Sequence, residues 1–409
     1  MHPRHTPANP LRVAFIGNAL PRRCGIATFT SDLELAVRHH AGIAGSAIIA
    51  LCEPGSAHAY GPEVACRIAQ DDPASYAAAA RFINEAGFDV VCLQHEFGIF
   101  GGKAGAMILG LVVALDMPLV TTFHTILDQP DPAQRRVMAR LIAASARLVV
   151  MAGKGREILR DTYGAPACKI DVIPHGIPDV PLMPSGPAKE RLGYGGGPVV
   201  LTFGLISPNK GIEIMIEAMP AILRAAPDTV YLVMGATHPR LLAAAGDTYR
   251  ETLVARVRAL GLDRHVVFLN QFVDRPTLLD HIAMCDVYVT PYLGAAQMTS
   301  GTLAYSHGLG RPVVATPYWH ASELLGDGSG VLVPFADPEA MGAAVAALLT
   351  DEPARLAMGR KAYTASRATT WANTGKRFVR CLVAACRPSP PASAPVMRLL
   401  AAPQMPAPA

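Results

Sequence analysis

The chain has 409 residues, 51% hydrophobic and 17% charged, with a formal net charge of +4. At roughly 100–200 residues per domain, this length implies two or three domains. Charge well below the usual ~25% excludes a chain that is disordered over most of its length. The small positive balance excludes the dense basic stripe of a nucleic-acid binder.

No window approaches the ~20 uninterrupted apolar residues of a membrane-spanning helix. The most apolar stretch, 104–120, is broken by Asp116 and Pro118 and reads as a buried helix, a turn and a strand. The N-terminus lacks the apolar core of an export signal, and eight scattered cysteines form no CxxC pair. Both features make a reduced, cytoplasmic setting the expectation, with no disulfide framework and no zinc site.

Along the first half, nearly continuous apolar runs predict strands at 11–17, 47–51, 90–94, 119–123, 148–151 and 170–173. Helices are expected between them at 27–39, 76–86, 134–146 and 155–163. Strands apolar on both faces, alternating with helices, indicate a doubly wound parallel sheet. Five prolines in 174–197 and the glycines 195–197 then break the rhythm. A second βα series follows, with strands at 199–203, 230–234, 266–269, 287–290, 312–315 and 331–333.

The expected organisation is an N-terminal Rossmann-like domain over 1–181, a linker over 182–197 and a C-terminal Rossmann-like domain over 198–365. The last helix, 366–386, would follow, and then a proline- and alanine-rich tail over 387–409, read as disordered. Ligands of such sheets bind beyond the carboxyl ends of the strands, so chemistry is sought where the two sheets face each other.

Six loops carry candidates. After the first strand, Gly25 opens a helix whose amides can approach an anion, with Arg22 and Arg23 adjacent. A plain helix-entry turn accounts for the same residues equally well. After 90–94 come His95 and Glu96, which point to opposite faces of an extended chain and so do not act as one pair. His124 follows the next strand and His175 the last one of this half; a satisfied structural histidine is the competing account of each.

In the second half, Gly204 precedes Lys210-Gly211 on a loop suited to neutralising a phosphate. Gln297, Thr299, Ser300, Gly301 and Thr302 read as a helix start with free amides; simple capping explains that pattern too.

In this order the pieces resemble the GT-B glycosyltransferases, in particular the retaining family 4 type that uses nucleotide-sugar donors. The motifs are Pro21–Ala27 with Gly25, His124, Ile173-Pro174-His175-Gly176, Gly204 with Lys210-Gly211, and Gly310–Ala315 followed by Glu323 and 330–334. The segment around Trp371 resembles the family's last helix, which crosses back to the first domain.

The resemblance implies metal-independent transfer of a hexosyl residue, with retention, to a glycan, lipid or small-molecule hydroxyl. It implies no cofactor beyond the donor substrate. It makes His124, Lys210 and Glu96 the catalytic candidates. Gly25, Gly204, Lys210, Gln297, Thr299, Ser300, Gly301 and Thr302 become the donor-binding ones. The expected partners are the nucleotide sugar and a glycan or lipid-linked acceptor, without nucleic acid, and with peripheral membrane contact through Arg22, Arg23 or first-domain helices.

Two motifs depart from the family pattern. Leu205 stands where an arginine is usual, and Gln297 and Tyr305 occupy the places of two glutamates. Tyrosine cannot offer a ribose diol two carboxylate oxygens. The alternatives are a nucleotide-sugar epimerase or sugar phosphorylase on the same fold, a non-catalytic nucleotide- or glycan-binding protein, and, last, a nicotinamide oxidoreductase, for which the GxGxxG fingerprint is missing.

Overall fold

The computed structural model describes residues 10–387. Thirteen strands form two separate sheets, every registered pair of them parallel. The first sheet contains β1 (Leu11–Gly17), β2 (Ile43–Cys52), β3 (Val64–Ala69), β4 (Val90–His95), β5 (Leu119–Phe123), β6 (Arg147–Val150) and β7 (Ile170–Val172). The second contains β8 (Val199–Phe203), β9 (Val230–Met234), β10 (Val266–Leu269), β11 (Val287–Thr290), β12 (Val313–Ala315) and β13 (Val331–Leu332). Their orders are 3-2-1-4-5-6-7 and 10-9-8-11-12-13. Each is therefore a doubly wound sheet whose chain direction reverses between its first and fourth strands.

The central strands β4, β5, β8 and β11 are buried along their whole length. This is what strands covered by helices on both faces must be, and it explains why their sequences show no alternation. The edge strand β3 is different. Half of it faces solvent and it carries Arg67, so its apolar signal is too weak to mark a strand. The four expected helices of the first half all start two or three residues early, at Gly25, Pro73, Pro132 and Gly153, and the second and third show why. Asp72 and Asp131 cap them by accepting from amides of the first turn, with proline at the first helical position.

The proline-rich segment 182–197 is not plain linker. It contains a helix, Ser185–Leu192, with Pro187 in its first turn, where a missing N–H costs nothing. Lys189 of this helix pairs at 2.5 Å with the buried Asp286 carboxylate, which also accepts from the Val199 amide. The helix is thereby fixed to the second lobe.

The chain crosses between lobes twice, side by side. Ile177 donates to the Thr369 carbonyl at 3.0 Å and accepts from the Trp371 amide at 2.9 Å. The last helix, Trp371–Ala385, then packs on the first sheet through Phe378, Cys381 and Leu382. The tail expected over 387–409 lies, past Arg387, outside the described residues.

Candidate functional site

The two switch points, β1/β4 and β8/β11, set the site. In the second lobe, three glycines in left-handed conformations bring the loops together. A Cβ at Gly235 (φ 154°) would stand 1.9 Å from the Gly204 carbonyl oxygen, and one at Gly211 (φ 62°) would stand 2.0 Å from that of Pro291. Any side chain at either position would force the exits of β8, β9 and β11 apart. The Leu293 amide donates to the Asn209 carbonyl at 3.0 Å, tying the Lys210 loop to the loop after β11.

The Lys210 ammonium consequently sits 4.0 Å from the centroid of the Tyr292 ring. The Tyr292 hydroxyl lies 3.3 Å from Thr302 Oγ1 and 3.5 Å from Ser300 Oγ, and those two hydroxyls are 3.1 Å apart. Tyr288 donates to Thr302 Oγ1 at 2.7 Å, and Tyr318 stacks on Tyr292 with centroids 4.9 Å apart. Burial raises the Tyr292 pKa. The Lys210 cation and the hydroxyls around it outweigh burial and bring it down to about 8.

Helix Gly301–Gly308 starts where the sequence placed it. Ser300 is the cap, accepting from the Leu303 amide at 3.2 Å. One detail differs: the Ser300 amide is not free, because it donates to His320 Nδ1 at 2.9 Å. Among the described residues the unpartnered donors of this first turn are the Gly301 and Thr302 amides. Gln297 spends its amide nitrogen on the Thr299 carbonyl at 2.6 Å.

Across the cleft, His124 Nε2 is 3.0 Å from Gln94 Oε1, and Gln94 Nε2 donates to Cys92 Sγ. This network puts the His124 proton on Nε2. The ring meets Phe29 edge-on, 4.8 Å between centroids, and Phe29 also touches His175 and Trp371. Burial, then the neighbouring His175 and His95, push His124 down to about 3, so its imidazole is neutral. His175 donates from Nδ1 to the Gly176 carbonyl, and its Nε2 faces Gly301, 3.0 Å from where a Cβ there would be. The structure thus brings His124 and His175 together with the helix start at Gly301.

Glu96 and His95 part company as expected. Glu96 accepts from Thr125 Oγ1 at 2.5 Å, and burial raises its pKa against that bond. His95 is enclosed by Phe97, Phe100 and Phe123, with no partner for either nitrogen among the described residues. Arg240 of the second lobe donates to the Gly98 carbonyl just beyond Glu96.

The first loop needs a correction. Arg22 is buried, bonded to Asn18 Oδ1 at 2.9 Å and ion-paired with Glu53. It is a structural arginine and is not available to a membrane; Arg23 alone is exposed. Gly25 opens helix Gly25–Arg38 with free space where a side chain would be, and Cys24 Sγ accepts from the Ala27 amide. Tyr305 does not face an open pocket: it donates to Asp32 of that helix at 2.9 Å and accepts from Trp371 Nε1 at 3.3 Å.

Sequence comparison matches residues 197–351 to the family described as glycosyl transferases group 1 and residues 47–179 to glycosyltransferase family 4, together about seven-tenths of the chain. The chain belongs to the group 1, family 4 glycosyltransferases. The chain is 29% identical over 290 residues to a D-inositol 3-phosphate glycosyltransferase of Kineococcus radiotolerans, covering 64% of this chain and 65% of the relative. It is 31% identical over 235 residues to a GDP-mannose-dependent alpha-(1-6)-phosphatidylinositol monomannoside mannosyltransferase of Mycolicibacterium smegmatis, covering 55% and 58%. The match thus spans less than two thirds of either relative's length.

HepE of Anabaena, solved with UDP and glucose, superposes with a TM-score of 0.71 at 16% identity, covering 91% of this chain and 99% of that one. Sucrose-phosphate synthase of Thermosynechococcus elongatus gives 0.71 at 16% identity, covering 90% and 98%. The fold is GT-B, as the two facing sheets indicate. No helix among the described residues is long and apolar enough to cross a membrane.

Proposed function

We propose that this protein transfers a hexosyl residue from a nucleotide-diphosphate sugar to a hydroxyl of a glycan, lipid or small molecule, with retention at the anomeric carbon and without a metal ion. The observation that carries this reading is the convergence of Lys210, the Tyr292–Ser300–Thr302 hydroxyls and the Gly301 and Thr302 amides on one side of a cleft that has neutral His124 on the other.

The anomeric C–O bond to the β-phosphate breaks, negative charge grows on the diphosphate, and the ring passes through an oxocarbenium-like state. Lys210 and the preorganised amides stabilise the leaving group as that charge develops. A neutral His124 can touch the sugar without repelling its positive charge. The acceptor oxygen bonds to the anomeric carbon on the face the phosphate leaves, and its proton goes to the departing phosphate oxygen. Glu96, held by Thr125, is the candidate for orienting that hydroxyl. Closure of the lobes excludes water and limits hydrolysis of the donor.

The relatives' names point to inositol-bearing acceptors, free or lipid-linked, and to GDP-mannose as a donor to test first. The test is acceptor-dependent nucleotide release from UDP- and GDP-sugars with inositol phosphate and phosphatidylinositol acceptors, with and without EDTA, and NMR of the first product. An α-linked product from an α-linked donor supports the reading. Tight nucleotide binding without turnover over the whole panel would favour a non-catalytic binding protein, the reading that Leu205 and Tyr305 suggest.

A further inference from the structure

Beside the edge strand β7, that strand and the last helix line an open recess of about 330 Å³, bordered by Arg147, Asp171, Ile173, Arg377, Arg380 and Cys381 among others. That volume lies within the range of small-ligand sites. Its charge is unbalanced: three guanidinium groups share one carboxylate.

Asp171 is already committed. Its Oδ2 accepts from Arg147 Nε at 2.8 Å and Nη2 at 2.6 Å, and from the Cys381 thiol at 3.3 Å. Arg147 spends its remaining nitrogen on the Cys168 carbonyl at 2.6 Å. Arg377 and Arg380, three apart on one helix face, have neither a hydrogen bond nor an ion pair among the described residues. The segment 388–409 contains no aspartate or glutamate, so its side chains supply no carboxylate either.

We propose that this recess is an anion site for a phosphomonoester, held in the forks of Arg377 and Arg380 with Arg147 fixed behind them. Planar guanidinium forks match phosphate oxygens two at a time, and the rigid Asp171–Arg147 pair supplies a wall that needs no ordering on binding. The position is mechanically central. Ile173 is two residues before His175 on the outgoing crossover, and Arg377 is six residues after Trp371 on the returning one. A ligand here joins both strands of chain that lead to the cleft. The phosphate belongs either to a soluble metabolite or to a lipid headgroup, and the recognition chemistry is the same.

The experiment uses the full chain, its Lys210→Ala variant and the double variant Arg377→Ala/Arg380→Ala, which removes no residue placed in the cleft. Thermal unfolding is followed against inorganic phosphate and glycerol 3-phosphate. Sedimentation is followed with phosphatidylcholine vesicles containing either phosphatidic acid or phosphatidylglycerol. A saturable rise in Tm with the free phosphates, kept by Lys210→Ala and lost by the double variant, supports a site for soluble phosphomonoesters. Retention on phosphatidic acid vesicles but not on phosphatidylglycerol ones, again lost by the double variant, supports the lipid source. Binding that survives the double variant, that disappears with Lys210→Ala, or that is absent with every probe overturns the proposal. None of these readouts depends on sugar transfer, so failure here leaves the reading of the cleft standing.

Discussion

The Tyr305 hydroxyl donates to Asp32 Oδ2 at 2.9 Å, joining the second lobe to the first helix of the first lobe. Asp32 is buried, with 2% of its side chain exposed, and it also pairs with Arg275 of the second lobe. Trp371 of the returning helix donates to the same Tyr305 oxygen. A position that the family resemblance assigns to the nucleotide's ribose here closes the molecule on itself.

This relationship fixes the order of two substitutions. Tyr305→Phe removes the hydrogen bond to the Asp32 carboxylate, a loss of about 1.5–3 kcal/mol, together with the one accepted from Trp371. Tyr305→Glu, which writes the family's residue back in, sets a second carboxylate toward Asp32 and should destabilise more than Phe does. Thermal unfolding of the two variants checks this. A Glu variant as stable as the parent would show that the lobes are not joined here.

Lys210→Ala should lower the transfer rate roughly 10²–10³-fold, the usual cost of losing one preorganised donor to developing charge. It should also release Tyr292 from the cation that holds its hydroxyl near 8, so tyrosinate appears only at higher pH. Tyrosinate absorbance during a pH titration reads the second effect without any substrate. The sign follows from linkage: a folded pKa of about 8 against 10 unfolded adds stability as pH rises between those values and adds nothing below about 8. The same titration of Tyr292→Phe, with the early tyrosinate still present, would refute the assignment.

The fold was far more legible than the site. Continuous apolar runs marked twelve of the thirteen strands because parallel strands are buried on both faces, and only the half-exposed β3 escaped. Gly204, Lys210 and the helix start at Gly301 were legible as positions because a glycine loop and a serine cap after a strand are local patterns, although capping alone explains the last of them. The partners were not. Arg22 finds Glu53 thirty-one residues away, and Tyr305 finds Asp32 at a separation of 273. The Tyr292–Tyr318 stack and the use of the Ser300 amide by His320 likewise depend on how loops from different strands meet, which no local pattern encodes.

Acid should unfold this protein early. His95, His124 and His320 are held near 3 and His175 and His307 near 4, in each case first by burial, which disfavours the charged ring. In the unfolded chain they titrate near 6.5. Unfolding therefore takes up protons once the pH falls below about 6.5, and the stability held above that value is lost progressively toward pH 4. Each histidine that follows this course contributes a slope of about 1.4 kcal/mol per pH unit. Urea midpoints measured from pH 7 to pH 4.5 should fall steadily; a flat profile over that range would mean the rings are solvated in the folded state.

Glu323 offers a test of lobe closure that alters none of the candidate site residues. Its carboxylate, on a second-lobe helix, accepts from the Gly153 amide at 2.7 Å and the Lys154 amide at 3.3 Å, at the start of helix Gly153–Asp161 in the first lobe. Ala152, the residue at that cap, provides no side-chain acceptor, so the cap comes from across the cleft. An exposed charge at a helix N-terminus contributes about 0.5–1 kcal/mol. Glu323→Ala should therefore shift the balance toward open forms about 2–5-fold and raise the apparent donor Kd by a similar factor. Amide exchange at Gly153 and Lys154 should quicken while the core of β4 and β5 stays protected. Unchanged exchange at those two amides would mean that the lobes do not depend on this contact to stay together.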